Sequence, residues 1–185
     1  SPITLTNDHI QLLKKYKFSF LSIGIQTLNH STLKKYNRLS ISKLELKKLC
    51  RSINDNNLFF NLDLICYLDK GDIRDIPAFE NEMRYIMENC SPSSITIHQY
   101  YQSFFSKEKT YHLLCTLKKV LQDYADYECA NSPLLLTDDE ITMDTMLQAE
   151  YRLVRKERNG FRHYMWDKYA SLPVKGYDIL SIGFT

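Results

Sequence analysis

Long apolar runs are missing from this chain, and so is any surplus of charge. No hydrophobic stretch approaches the roughly 18 residues needed to span a bilayer, so no membrane segment is expected. Lys and Arg number 24 against 22 Asp and Glu, a formal charge of +2 that supplies no particular attraction to nucleic acid or anionic lipid. Five cysteines, at 50, 66, 90, 115 and 129, are an odd and irregular set. They fit neither a disulfide framework nor a CxxC-type metal site, and they read as reduced thiols of a cytoplasmic protein. A signal peptide is also lacking, and Ser1-Pro2 reads as the edge of a longer chain rather than a natural start. Internal repeats and low-complexity tracts are absent. What is present, over 185 residues, is an ordinary globular composition sufficient for one core.

The pattern of that composition is strand, helix, strand, helix. Thr6-Asn7-Asp8 offers a helix cap ahead of Ile10, Leu13 and Tyr16 at helical spacing. Phe18 to Gln26 then alternates with period two. Asn29 to Ser31 can cap a short helix, and Ser42-Lys43-Leu44-Glu45 is a capping box opening a helix to about residue 57. Phe59 to Cys66 is a short apolar run read as a buried strand. A helix from about Asp75 has Pro77 in its first turn, where proline is tolerated. Ser94 to Tyr100 makes a third strand, Ser106 starts a further helix, and Tyr127 to Ala130 a short strand. Thr137 to Glu140 is a second capping box, whose helix is predicted to run to about Lys156, and Tyr177 to Gly183 is predicted as a closing strand. Strands separated by helices in this way form parallel α/β sheets.

The faces of those strands carry further information. Side chains alternate across a strand, so Phe60, Leu62, Leu64 and Cys66 share one face while Phe59, Asn61, Asp63 and Ile65 share the other. The second face sets a carboxylate beside an amide, and a buried carboxylate requires a partner, either a structural donor or a ligand. Polar residues recur late on the other strands too: Gln26 on the first, His98 and Tyr100 on the third. A doubly wound sheet is apolar on both faces. One aliphatic and one polar face instead predict a barrel wall, or an arc of one, with helices outside and a ligand at the carboxyl ends of the strands.

Leu21 to Arg38 (LSIGIQTLNHSTLKKYNR), followed by Asn61 to Leu68 (NLDLICYL), resembles the second half of a radical S-adenosylmethionine (SAM) domain, nearest to the oxygen-independent coproporphyrinogen III oxidases and their relatives. The likeness continues through Pro92 to Tyr101 and Tyr177 to Thr185. It implies an α/β fold of parallel strands with outer helices, part of a partial TIM-like (β/α)6 barrel. Residues 1–105 would then be the second half of the barrel, and 106–185 its closing, family-specific elements in one continuous domain.

By the same resemblance Gln26 and Arg38 would hold the carboxylate end of SAM, and Asp63 would accept from the ribose hydroxyls. Ile65 would contact adenine, with Tyr101 and Gly183 closing over the ring. The family's 4Fe-4S cluster is held by a CxxxCxxC loop that would lie outside this chain, so the fragment alone is expected to be inactive, with no catalytic or metal-ligating residue of its own. Implied partners are the other half of the barrel, an electron donor such as a flavodoxin or ferredoxin, and a porphyrin, other small-molecule or peptide substrate. The stretch after Asp63 lacks the family's glycine and proline, which leaves the substrate open. A haem-binding chaperone, a peptide-modifying or methyltransferase relative, and an unrelated barrel enzyme are the alternatives.

Overall fold

In the computed structural model, residues 2–18, 20–66, 76–99, 107–129 and 150–155 are described. A 3-10 turn (Pro2–Thr4) leads into α1 (Asn7–Lys15), followed by β1 (Phe20–Gln26), α2 (His30–Lys35), α3 (Lys43–Asp55), β2 (Phe59–Cys66), α4 (Ile76–Cys90), β3 (Ser94–Gln99), α5 (Lys107–Asp123), β4 (Tyr127–Cys129) and β5 (Glu150–Arg155). The helix starts expected at Thr6, Asn29 and Ser42 are where the capping chemistry placed them. The Thr6 side chain accepts from the His9 N–H, Asn29 from Thr32, and Ser42 from Glu45, whose own side chain returns to the Ser42 N–H. Each satisfies donors that the first helical turn leaves without an intrahelical partner.

The sheet order is β1-β2-β3-β5-β4. The first three strands are parallel, as expected, and β5 and β4 continue the sheet antiparallel. This corrects one expectation: residues 150–155, assigned to the end of a helix from Thr137, form a strand. Glu150 to Arg155 carries a period-two alternation within its polar sequence. Pairing against the open edge of β3 decides the matter, because it inserts Leu153 into the core opposite Ile95. The remainder of that predicted helix, the predicted Tyr177–Gly183 strand and the boundary at 105/106 lie outside the described residues.

One row across the sheet, Ile23, Leu62, Ile95 and Leu153, shows how the core is assembled. With Phe60, Leu64 and Ile97 it forms the aliphatic face, and Leu46, Cys50 and Ile53 of α3, Met83 and Ile86 of α4, and Leu117 and Val120 of α5 join it in one cluster. Cys50 and Cys90 meet inside this layer; a hydrogen bond between them, and then burial, push the Cys50 thiol far above its ordinary range. At the helix surfaces Glu80 of α4 pairs with Arg84 and with Lys119 of α5. Among the described residues no helix is long and apolar enough to cross a membrane.

Candidate functional site

The sheet face turned away from that core is polar. Its centre is Asn61, 4% exposed, whose side-chain oxygen accepts from Ser94 Oγ at 2.8 Å and Thr96 Oγ1 at 3.0 Å. Its amide nitrogen donates to Asp63 Oδ1 at 2.6 Å and to Ser22 Oγ at 3.3 Å. Ser22 in turn donates to Asp63 Oδ2 at 2.6 Å. Three adjacent strands therefore meet in one chain of hydrogen bonds, with every polar site of the Asn61 amide engaged. The Asp63 carboxylate ends the chain, its side chain 24% exposed and each oxygen fixed by one protein donor. A carboxylate oxygen can accept twice, so each retains capacity on the open side.

Gln26 reaches the same place by a backbone irregularity. The register of β1 on β2 runs Gly24 against Asp63 and then jumps to Gln26 against Leu64, skipping Ile25. Gln26 itself has φ +62°, a left-handed conformation uncommon outside glycine. The Thr27 N–H donates to the Ile25 carbonyl at 2.7 Å around it, the i to i+2 bond of a γ-turn in its rarer, strained hand. The result is that the Gln26 side chain doubles back over Gly24. A methyl group built on Gly24 would stand 2.6 Å from Gln26 Nε2, so a glycine is required for the amide to lie there, at the position paired with Asp63.

What holds this turn comes from the other side of the sheet. Glu82 of α4, 7% exposed, accepts from Thr27 Oγ1 at 2.8 Å and from the Leu28 N–H. The Asn29 N–H closes the arrangement by donating to Thr27 Oγ1 at 2.9 Å. A buried carboxylate on a helix otherwise packed through Phe79, Met83 and Ile86 is held by these donors. Sequence reasoning missed Glu82, and its only signal there was a charge on the apolar stripe of the helix.

Of the other expected site residues, Ile65 is half-buried on the Asp63 face, in register with His98. His98 follows on β3 with its side chain 41% exposed and Nε2 3.7 Å from Asp63 Oδ1. Arg38 lies exposed in the turn after α2, its N–H donating to the Leu33 carbonyl at 2.9 Å. The structure does not bring it into bonding contact with Gln26 or Asp63. Tyr101 and Gly183 lie outside the described residues, as does Tyr100. Asn61, Ser22 and Thr96, which orient Asp63, were legible as polar positions on the alternating strands but not as one network. Among the described residues no three His, Cys, Asp or Glu side chains converge as a metal-binding group.

This combination, three parallel strands covered by helices on one face with a polar opposite face, is that of part of a TIM-like barrel. The likeness is to a solved structure, the coproporphyrinogen III oxidase (HemN) from Escherichia coli, described as a radical SAM enzyme, with TM-score 0.62 and 17% identity. It covers 85% of this chain and 34% of that one, so the chain spans about a third of the length of the structure it matches. At this identity the likeness establishes the fold. No protein-family model matches the chain. No curated protein matches it in sequence.

Proposed function

We propose that this chain is the SAM-gripping part of a radical SAM enzyme of the coproporphyrinogen-oxidase-like kind. The observation that carries the reading is the convergence of the Gln26 amide and the Asp63 carboxylate on one open sheet face, by way of the Gly24 gap and the Asn61 network. Such a pair suits a molecule bearing both a diol and a carboxylate. Two hydroxyls can donate to the two Asp63 oxygens while an amide N–H donates to the carboxylate. Arg38 is assigned to the same carboxylate and Ile65 to an apolar edge of the adenine, with Tyr101 and Gly183 closing over it. Bound SAM would supply, on one-electron reduction, a 5′-deoxyadenosyl radical able to abstract hydrogen from a substrate, of which a porphyrinogen undergoing oxidative decarboxylation is one candidate.

The described residues do not fit the 4Fe-4S cluster that such chemistry needs, since they assemble no ligand group for it. Its ligands, the electron donor and the substrate contacts are therefore assigned to parts of the protein outside these residues. The test uses the full-length protein purified without oxygen. SAM cleavage on reduction is expected, and Asp63→Ala should weaken SAM binding at least about tenfold, the worth of a charge-assisted hydrogen bond. Unaltered SAM affinity in that variant would remove Asp63 from the role.

A further inference from the structure

We infer that Glu82, buried on the helix side of the sheet, is a positioning residue that sets the preference for SAM over a nucleoside without a carboxylate. It does so by holding the turn from which the Gln26 amide reaches the polar face. This rests on the SAM reading above and adds a residue that neither the fold likeness nor the sequence resemblance supplies. One oxygen, Glu82 Oε1, accepts from Thr27 Oγ1 at 2.8 Å and from the Leu28 N–H. A side chain fifty-five residues away thus fixes both residues that follow Gln26. Gln26 needs that support, because a non-glycine residue at φ +62° is strained and persists only where its surroundings over-determine it. The Thr27 hydroxyl is locked further: it donates to Glu82 and accepts from the Asn29 N–H at 2.9 Å, while the Asn29 side chain caps α2.

Packing alone gives no reason for an acid at this position. Glu82 lies 7% exposed on the helix that buries Phe79, Met83 and Ile86, where an unbranched apolar side chain would fill the space without desolvating a carboxylate. Holding the turn does give a reason. If the turn relaxes, the Gln26 amide leaves its place over Gly24 and loses its alignment with the carboxylate of the ligand. The ribose end is anchored differently, since Ser22 and Asn61 fix the Asp63 oxygens at 2.6 Å each from within the strands. Loss of Glu82 therefore acts on one end of the ligand and spares the other.

The experiment measures the affinity of the full-length protein, purified without oxygen and left unreduced, for SAM and for adenosine by titration calorimetry. Glu82→Met keeps the length and removes the acceptor; it should weaken SAM binding about tenfold, the worth of a charge-assisted hydrogen bond, with adenosine unchanged. Glu82→Gln retains an oxygen able to accept both bonds and should restore SAM affinity to within about threefold of wild type. Thr27→Val removes the hydroxyl from the other side and should reproduce the SAM-selective loss in smaller measure, so the test stands even if thermal melts show Glu82→Met unfolded. Equal losses for SAM and adenosine, or none in a folded variant, would make Glu82 a merely structural residue and overturn the inference. Gln26→Ala separates this from failure of the underlying reading. If it lowers SAM affinity while Glu82→Met and Thr27→Val do not, the site stands and the role of Glu82 is wrong; if it leaves SAM affinity unaltered, Gln26 is not a grip and the inference falls with it.

Discussion

The two faces of the β1–β3 sheet are built from alternate residues of the same strands, yet they obey different rules. On the helix side Ile23, Leu62, Ile95 and Leu153 line up across four strands, all at 0–6% exposure, held by shape and exclusion of water. On the other side Ser22, Asn61, Asp63, Ser94 and Thr96 are held by direction, each hydrogen bond fixing the next. A carboxylate presented by such a network is oriented before any ligand arrives, which reduces what binding must spend on ordering side chains. The aliphatic face supplies stability, and the polar face converts it into a placed functional group. Glu82 links the two. It sits in the helix layer but holds the turn that aims Gln26 onto the polar face.

The largest effect should come from the aliphatic side. Leu62→Ala, at a fully buried site, is expected to destabilise the fold by about 2–5 kcal/mol in denaturant titration. It should leave nucleoside affinity intact at temperatures where the protein remains folded. Asn61→Ala falls between the faces. Stripping Ser94, Thr96, Ser22 and Asp63 of their shared partner should cost about 1–3 kcal/mol and weaken SAM binding as well. An Asn61→Ala protein that binds SAM normally would show that the network does not orient Asp63.

Gly24→Ala sharpens the contrast further. The added methyl meets only the flexible end of Gln26, so melting temperature should hardly move while affinity for the carboxylate end of SAM drops several-fold. Comparison with adenosine, which lacks that carboxylate and should bind unchanged, isolates the effect. The smallest effect concerns the core thiols. Cys50, raised by its bond to Cys90 and by burial, favours the neutral thiol in the folded state. The associated stability is fully present below the ordinary thiol value of about 8.5 and is lost progressively as pH rises beyond it. Alkylation of Cys50 at pH 8 should accordingly track global unfolding, and rapid labelling of the native protein would contradict the packing described.

Much of the helical framework could be read from local chemistry. Thr6, Asn29 and Ser42 cap helices because a side-chain oxygen three residues from a free N–H needs no distant partner to act. The alternation in Phe59–Cys66 likewise fixed which residues face the helices, since the period of a strand is a property of its own backbone. The β5 strand was misread because local pattern is a weak guide there: the edge of β3, more than fifty residues earlier in the chain, supplied the ladder that outweighed helix propensity.

The site divides in the same way. Asp63 and Gln26 stood out from the sequence as polar groups on strands, and the resemblance gave them a ligand. That the Gln26 side chain lies over Gly24, the residue paired with Asp63, was decided only by the tertiary structure, through the skipped residue at Ile25, the left-handed Gln26, the bare Cα of Gly24 and the reach of Glu82 from α4. A sequence determines alternation, caps and composition because these depend on neighbours within a turn or two. It does not by itself determine where a side chain folds back, since that depends on register against another strand and on a buried carboxylate fifty-five residues away.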